Sequence, residues 1–225
     1  MGSTISLWVG DFEVDWGKNN IFMEHNPLFQ PGDVHPKKDS VKLLKYVLPR
    51  VELLGHTLDS ARREYEELLK INGNRLNITF DELEAALKIC KLKRISRFNH
   101  NDNDYVFGKF FANEIYPRLG LRNLGERPLA SKDNLGEVME NFHPWSIIRL
   151  VAENPANLDR PVTWDFAEIV NNGWATASDF SPGLGNSQRF LIVTEGSSDA
   201  KILQKALELL RPEVRTGFKI RYCLK

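Results

Sequence analysis

Residues 190–203 read FLIVTEGSSDAKIL, and this stretch restricts the fold more than any other in the chain. Residues 190–194 form an unbroken apolar and β-branched run, which suits a strand buried on both faces of a parallel sheet. Glu195 and Gly196 follow, and Ser197, Ser198 or Asp199 can cap the next helix. In that helix Ile202, Leu203, Ala206, Leu207 and Leu210 share one face and are expected to point inward. Pro212 stops it, and residues 217–224, GFKIRYCL, read as a second short strand. The unit is strand–helix–strand, the opening of a Rossmann-like sheet, in which ligands sit beyond the carboxyl ends of the strands. Glu195 falls at such an end. A carboxylate there is costly unless it is paired or binds metal. It is suited to hold a hard divalent cation or to move a proton.

The rest of the chain limits what that carboxylate can serve. The 225 residues suit one large domain or two small ones, and a hydrophobic content of 42% can build a core. With 30 basic and 30 acidic residues there is no global positive field, so any nucleic-acid contact must be local. Cys90 and Cys223 stand far apart without a CxxC partner, which excludes a zinc ribbon or a disulfide framework and fits reduced thiols in the cytoplasm. The histidines at 25, 35, 56, 100 and 143 form no HxxxH or HxH pair, so they are expected to be solvent-facing or structural. No apolar run is long enough to span a bilayer and no basic leader opens the chain, so no membrane association is expected.

Towards the N-terminus, residues 4–16 alternate as Ile5, Leu7, Val9 and then Phe12, Val14, Trp16 around Gly10-Asp11, which predicts a hairpin. Residues 17–39 read as loop with a short strand near 21–23. The spacing of apolar residues predicts a helix over 41–54 capped by Ser40, which Pro49 should kink or divide and Gly55 should stop or bend. A second helix is expected over 58–69, stopped by Asn72-Gly73-Asn74. A third is opened by the capping box Thr79-x-x-Glu82 and should end near Arg94. Residues 96–106 read as a polar loop, 107–116 as a short aromatic helix closed by Pro117, and 117–137 as loop. Helices are expected from Pro144 and over 161–171, the latter capped by Thr163. The stretch 178–188, SDFSPGLGNSQ, reads as a linker.

The strand, Glu195-Gly196, Asp199 and the helix in register resemble the opening motif of the Toprim domain, found in primases, topoisomerases and nucleases. The resemblance covers about 190–225. It implies Mg²⁺ held by Glu195 and Asp199 and a catalytic role for Glu195 in phosphodiester chemistry. The family's second motif, Asp-x-Asp on a later strand, has no match after Glu195. Asn101-Asp102-Asn103-Asp104 precedes the Glu and is not expected to replace it. The opening TISLWVGDFEVDWGKNN, the helical stretch with HTLDSARREYEELL and the domain order are similar to the HEPN/Toprim-associated N-terminal domain. That implies nucleic-acid processing, commonly in defence against phage.

The expected architecture is therefore an α+β N-terminal domain, hairpin plus helices, over 1–180, followed by a partial α/β Toprim unit over 189–225. The chain alone is expected to be inactive, as part of a longer nuclease or a truncated product. A two-stranded remnant would leave Leu191, Val193 and the apolar face of the helix uncovered, which calls for a complementing Toprim segment or a homo-oligomer. The alternative is a non-catalytic module that binds nucleic acid or protein. Lys88, Lys91, Lys93, Arg94 and Arg97 form a basic cluster, of which Lys91, Lys93, Arg94 and Arg97 are the candidates for phosphate, although cations are also favoured at a solvated helix end. Arg50 and His56 have the spacing of the HEPN ribonuclease motif. Val51 stands where that motif has a polar residue, and Gly55-His56 falls at a helix break, so this chemistry is not expected.

Overall fold

The computed structural model describes residues 2–73, 76–92, 95, 98–99, 104–119, 130–181 and 190–222. The hairpin is formed by β1, Thr4–Val9, and β2, Phe12–Lys18, which turn at Gly10 with φ +59°. Ile5, Leu7 and Val9 all face the core, as the alternation predicts. A register shift between Leu7 and Trp8 lets both Glu13 and Val14 of β2 be buried.

β1 is also the seam of a larger antiparallel sheet of order β2-β1-β7-β4-β3. Its other members are β3, Val34–His35, β4, Asp39–Leu43, and β7, Pro161–Asp165. Two expectations are corrected here. Residues 41–43 belong to a strand, so Ser40 caps nothing; it pairs with Trp164, and helix α1 begins only at Leu44. Thr163 is not a helix cap either. It lies in β7 opposite Trp8 on one side and Val41 on the other, while Val162 and Trp164 point into the core. In both segments the runs were too short for periodicity to separate strand from helix, and ladder pairing with distant segments decided the outcome. The short strand near 21–23 reduces to a single bridge between Lys18 and Ile21.

Helices cover the sheet. α1, Leu44–Leu53, runs on through Pro49 and ends before Gly55, whose φ is +96°. α2, Leu58–Ile71, buries Ala61 and Tyr65, and Gly73 with φ +68° follows its end. α3, Phe80–Ile89, starts with the reciprocal capping box of Thr79 and Glu82 and stops at Cys90, short of the expected Arg94. Residues 98–99 and 104–105, within the expected loop, pair as strands β5 and β6. α4, Val106–Phe110, continues as a π-helical turn over Phe111–Ile115 and a 3₁₀ turn at Tyr116–Arg118. α5, Ala130–Glu140, occupies part of the expected loop 117–137. α4 and α5 touch at their glycines: a Cβ on Gly136 would lie 2.8 Å from the Gly108 carbonyl oxygen, so only glycine fits there. α6, Pro144–Val151, contacts α1, α2, α3 and β2 and is buried on nearly all sides. A short helix α7, Ala167–Asn171, follows β7.

A second, two-stranded sheet is made by β8, Phe190–Thr194, and β9, Phe218–Tyr222, paired in parallel and joined by α8, Ser197–Leu210. The strand–helix–strand order is as expected, and its burial is that of a two-stranded remnant, not of a strand buried on both faces and a helix facing inward. Leu191 and Val193 are 60% and 54% exposed, and Ile202 and Leu210 are 65% and 76% exposed. Within this unit the buried apolar side chains are Ala200 of α8, Ile220 of β9 and Val214 of the turn between them. Two strands and one helix offer one inner layer, so among the described residues the opposite sheet face and the outer helix face have no neighbour. Of the linker reading, 178–181 is described and ends in the buried Phe180, while 182–188 lies outside the described residues.

Candidate functional site

The parallel register sets Thr194 opposite Tyr222, so Glu195 leaves the sheet at the carboxyl end of both strands. Glu195 and Asp199 are exposed. Gly196, not a serine, is the N-cap of α8, with extended backbone and no side-chain cap. Thr194 Oγ1 donates to the Gly196 carbonyl at 2.8 Å and holds the turn. The Asp199 carboxylate folds back over that turn: a Cβ on Gly196 would lie 3.4 Å from Asp199 Oδ2. The two acids predicted from the sequence are thus presented to solvent on either side of Gly196, at a helix N-terminus that favours negative charge.

The other end of α8 is anchored to the first sheet's domain. Arg50, 1% exposed, sends Nε to the Pro27 carbonyl at 2.7 Å and Nη1 to the Glu213 carbonyl at 2.8 Å. Gln30 Nε2 donates to the Pro212 carbonyl at 2.8 Å, and Lys42 Nζ reaches Gln30 Oε1 at 3.2 Å. Burial lowers the Arg50 pKa while Asp33 opposes the shift, and the two carbonyls replace water at Nε and Nη1. The spacing that suggested an RNase motif therefore has another use: Arg50 grips the turn between α8 and β9, and His56 belongs to a different cluster.

That cluster is one the sequence spacing hides. His25, His56 and His143 meet around Trp145, with His56 and His143 stacked at 4.2 Å between ring centroids. Trp145 Nε1 donates to His25 Nδ1 at 3.0 Å, which leaves His25 Nε2 to donate to Asp15 at 2.9 Å. Ser146 Oγ donates to Glu64 at 2.6 Å, so His56 Nδ1 donates to Ser146 Oγ at 3.1 Å. The Trp145 backbone N–H donates to His143 Nδ1 at 3.1 Å, and Glu64 Oε1 accepts from the His143 N–H at 2.5 Å. This arrangement locks the start of α6 against α2. Ser146 gives its proton to a carboxylate rather than to His56, so it is not an activated nucleophile. The structural reading of the histidines holds for these three, while His35 sits on the surface at 2.6 Å from Asp39 and His100 lies outside the described residues.

Burial, then the nearby His56 and His25, push the His143 imidazole down to about 4, with Asp15 pulling the other way; burial also lowers His56. In the unfolded chain these rings titrate near ~6.5. The unfolded state therefore binds protons first as the pH falls. Stability from the neutral rings is complete above about 6.5 and is lost towards pH 4. His143 is only partly buried, so after solvent screening its share is about 1–2 kcal/mol. Urea denaturation of wild type should lose about that much more stability between pH 7 and 4.5 than His143→Asn, which keeps a capping acceptor. Equal losses in the two proteins would remove His143 from this role.

Among the basic cluster, Lys91 is exposed just after α3. Lys93, Arg94 and Arg97 lie outside the described residues. Cys90 is a buried thiol within the core that donates to the Lys91 carbonyl at 3.6 Å, and Cys223 lies outside the described residues. No helix among the described residues is long and apolar enough to cross a membrane. Compared with known proteins, residues 1–188 match the family model described as HEPN/Toprim N-terminal domain 1. No curated protein and no solved structure matches the chain.

Proposed function

Because the chain belongs to the HEPN/Toprim N-terminal domain 1 family over residues 1–188, we propose that it is the N-terminal part of a Toprim-type, metal-dependent nuclease acting on DNA or RNA. A role in defence against phage is part of this reading. The observation that carries it is the strand–Glu195-Gly196–helix–strand unit that follows the family domain, with Glu195 exposed at the carboxyl end of a parallel pair. In this reading the domains divide near 180–189, and the first domain holds the second through Arg50 and Gln30.

Glu195 and Asp199 fit a hard cation. They are two exposed carboxylates about one glycine, and Mg²⁺ is commonly held by one or two carboxylates, waters and substrate phosphates. When bound, the metal would neutralise charge on the phosphodiester. Glu195 would hold it or move a proton at the leaving or attacking oxygen, and Asp199 would orient it. Further acidic ligands, as in the family's Asp-x-Asp, would come from sequence or a subunit that also covers Leu191 and Val193. The exposed apolar face of the sheet favours such a covering segment.

A second reading, a non-catalytic regulatory module, is favoured by the supply of ligands. Among the described residues no group of three His, Cys, Asp or Glu is placed to hold a metal. Iron-mediated backbone scission separates the two. With Fe²⁺ in place of Mg²⁺, cuts should cluster around residues 194–200 and disappear with excess Mg²⁺ or in Asp199→Asn. Uniform scission, insensitive to Mg²⁺, would leave the regulatory reading standing.

A further inference from the structure

Beside the acidic turn, between α8 and β9, lies a cleft of about 480 Å³. Ser197, Lys201 and Gln204 line it from the helix, and Arg221 and Tyr222 from the strand. We infer that this cleft binds one nucleotide of a single-stranded nucleic acid, with Lys201 and Arg221 on the phosphate and Tyr222 against the base. The inference rests on the nucleic-acid reading above and gives it a substrate form.

Three observations carry it. The cations are available: among the described residues the ion pairs of this unit run from Lys205, Arg211 and Arg215 to Glu208 and Glu213, and none takes Lys201 or Arg221. An aromatic residue is also present. Tyr222 is 47% exposed at the end of an edge strand, where its ring face is open to a stacking base. The placement fits as well, because Tyr222 pairs with Thr194, the residue before Glu195. Adjacent strands lie about 4.8 Å apart, so a chain leaving the cleft passes the two carboxylates. Ser197 and Gln204 add neutral hydrogen-bonding groups that do not select a base by charge. Unpaired cations with an aromatic platform are the chemistry of single-strand binding, in which phosphates supply affinity and stacking tolerates any base.

The test is fluorescence anisotropy of the whole chain with 5′-fluorescein oligo-dT and oligo-U twelve-mers, in EDTA so that no cleavage intervenes. Lys201→Gln with Arg221→Gln should weaken binding at least about ten-fold and reduce the salt slope by about 0.7, the single-strand value for one neutralised phosphate. Tyr222→Ala should weaken it about ten-fold with the slope unchanged, and Tyr222→Phe should bind as wild type. Comparing both with oligo-dU separates the contribution of the sugar from that of the thymine methyl group. All three altered side chains are exposed, and unchanged melting temperatures confirm the folds. Failure of wild type to bind either oligonucleotide, or variants that bind like wild type, overturns the inference. Loss of binding in these variants beside unchanged cleavage in Glu195→Gln would leave the cleft standing and dismiss the nuclease reading instead.

Discussion

Trp164→Ala is expected to lower the stability of the protein by about 3–5 kcal/mol. Trp164 is the largest fully buried side chain and sits in β7, the strand that joins the β1 hairpin to β4. Its ring meets His25 edge-on at 5.5 Å, Phe166 at 5.6 Å and Phe180 at 5.1 Å, and Phe166 and Phe180 stack on each other at 4.3 Å. Truncation removes the transfer free energy of an indole and leaves a cavity that a paired central strand cannot collapse to fill. Since small domains keep only about 5–15 kcal/mol in total, the variant should approach the unfolding threshold at room temperature. The midpoint of urea denaturation reads this directly, and Trp164→Phe should recover about half of the loss. A change under ~1 kcal/mol in Trp164→Ala would mean that β7 does not organise the core as described.

The same strand marks the limit of what one sequence discloses. Features set by neighbouring residues were legible: the Gly10 turn, the Thr79–Glu82 capping box, the Pro144 helix start and the apolar run at 190–194. β4 and β7 were not, because DSVKL and PVTWD are short and their strand character lies in pairing across more than a hundred residues. At the strand end the acidic residues were legible from type and order, and their exposure followed from the two-stranded sheet. The inward helix face did not follow, since a hydrophobic stripe shows which side wants burial and not whether a neighbour exists. The histidine cluster and the Arg50 grip were hidden for another reason. His25, His56 and His143 come from three separate segments, and Arg50 meets residue 213 only through the tertiary fold.

The largest functional effect is expected at Glu195. Its side chain is exposed, so Glu195→Gln should leave the denaturation midpoint within about 0.5 kcal/mol of wild type while removing the charge that holds metal or moves a proton. The measurement that tests the account most directly is Mg²⁺-dependent cleavage of labelled DNA and RNA by the protein in its longest natural form, wild type against Glu195→Gln. The account predicts cleavage by wild type that EDTA abolishes, and a loss of at least about 100-fold in Glu195→Gln, the usual contribution of a proton-transferring residue. Equal cleavage by the two proteins would contradict it.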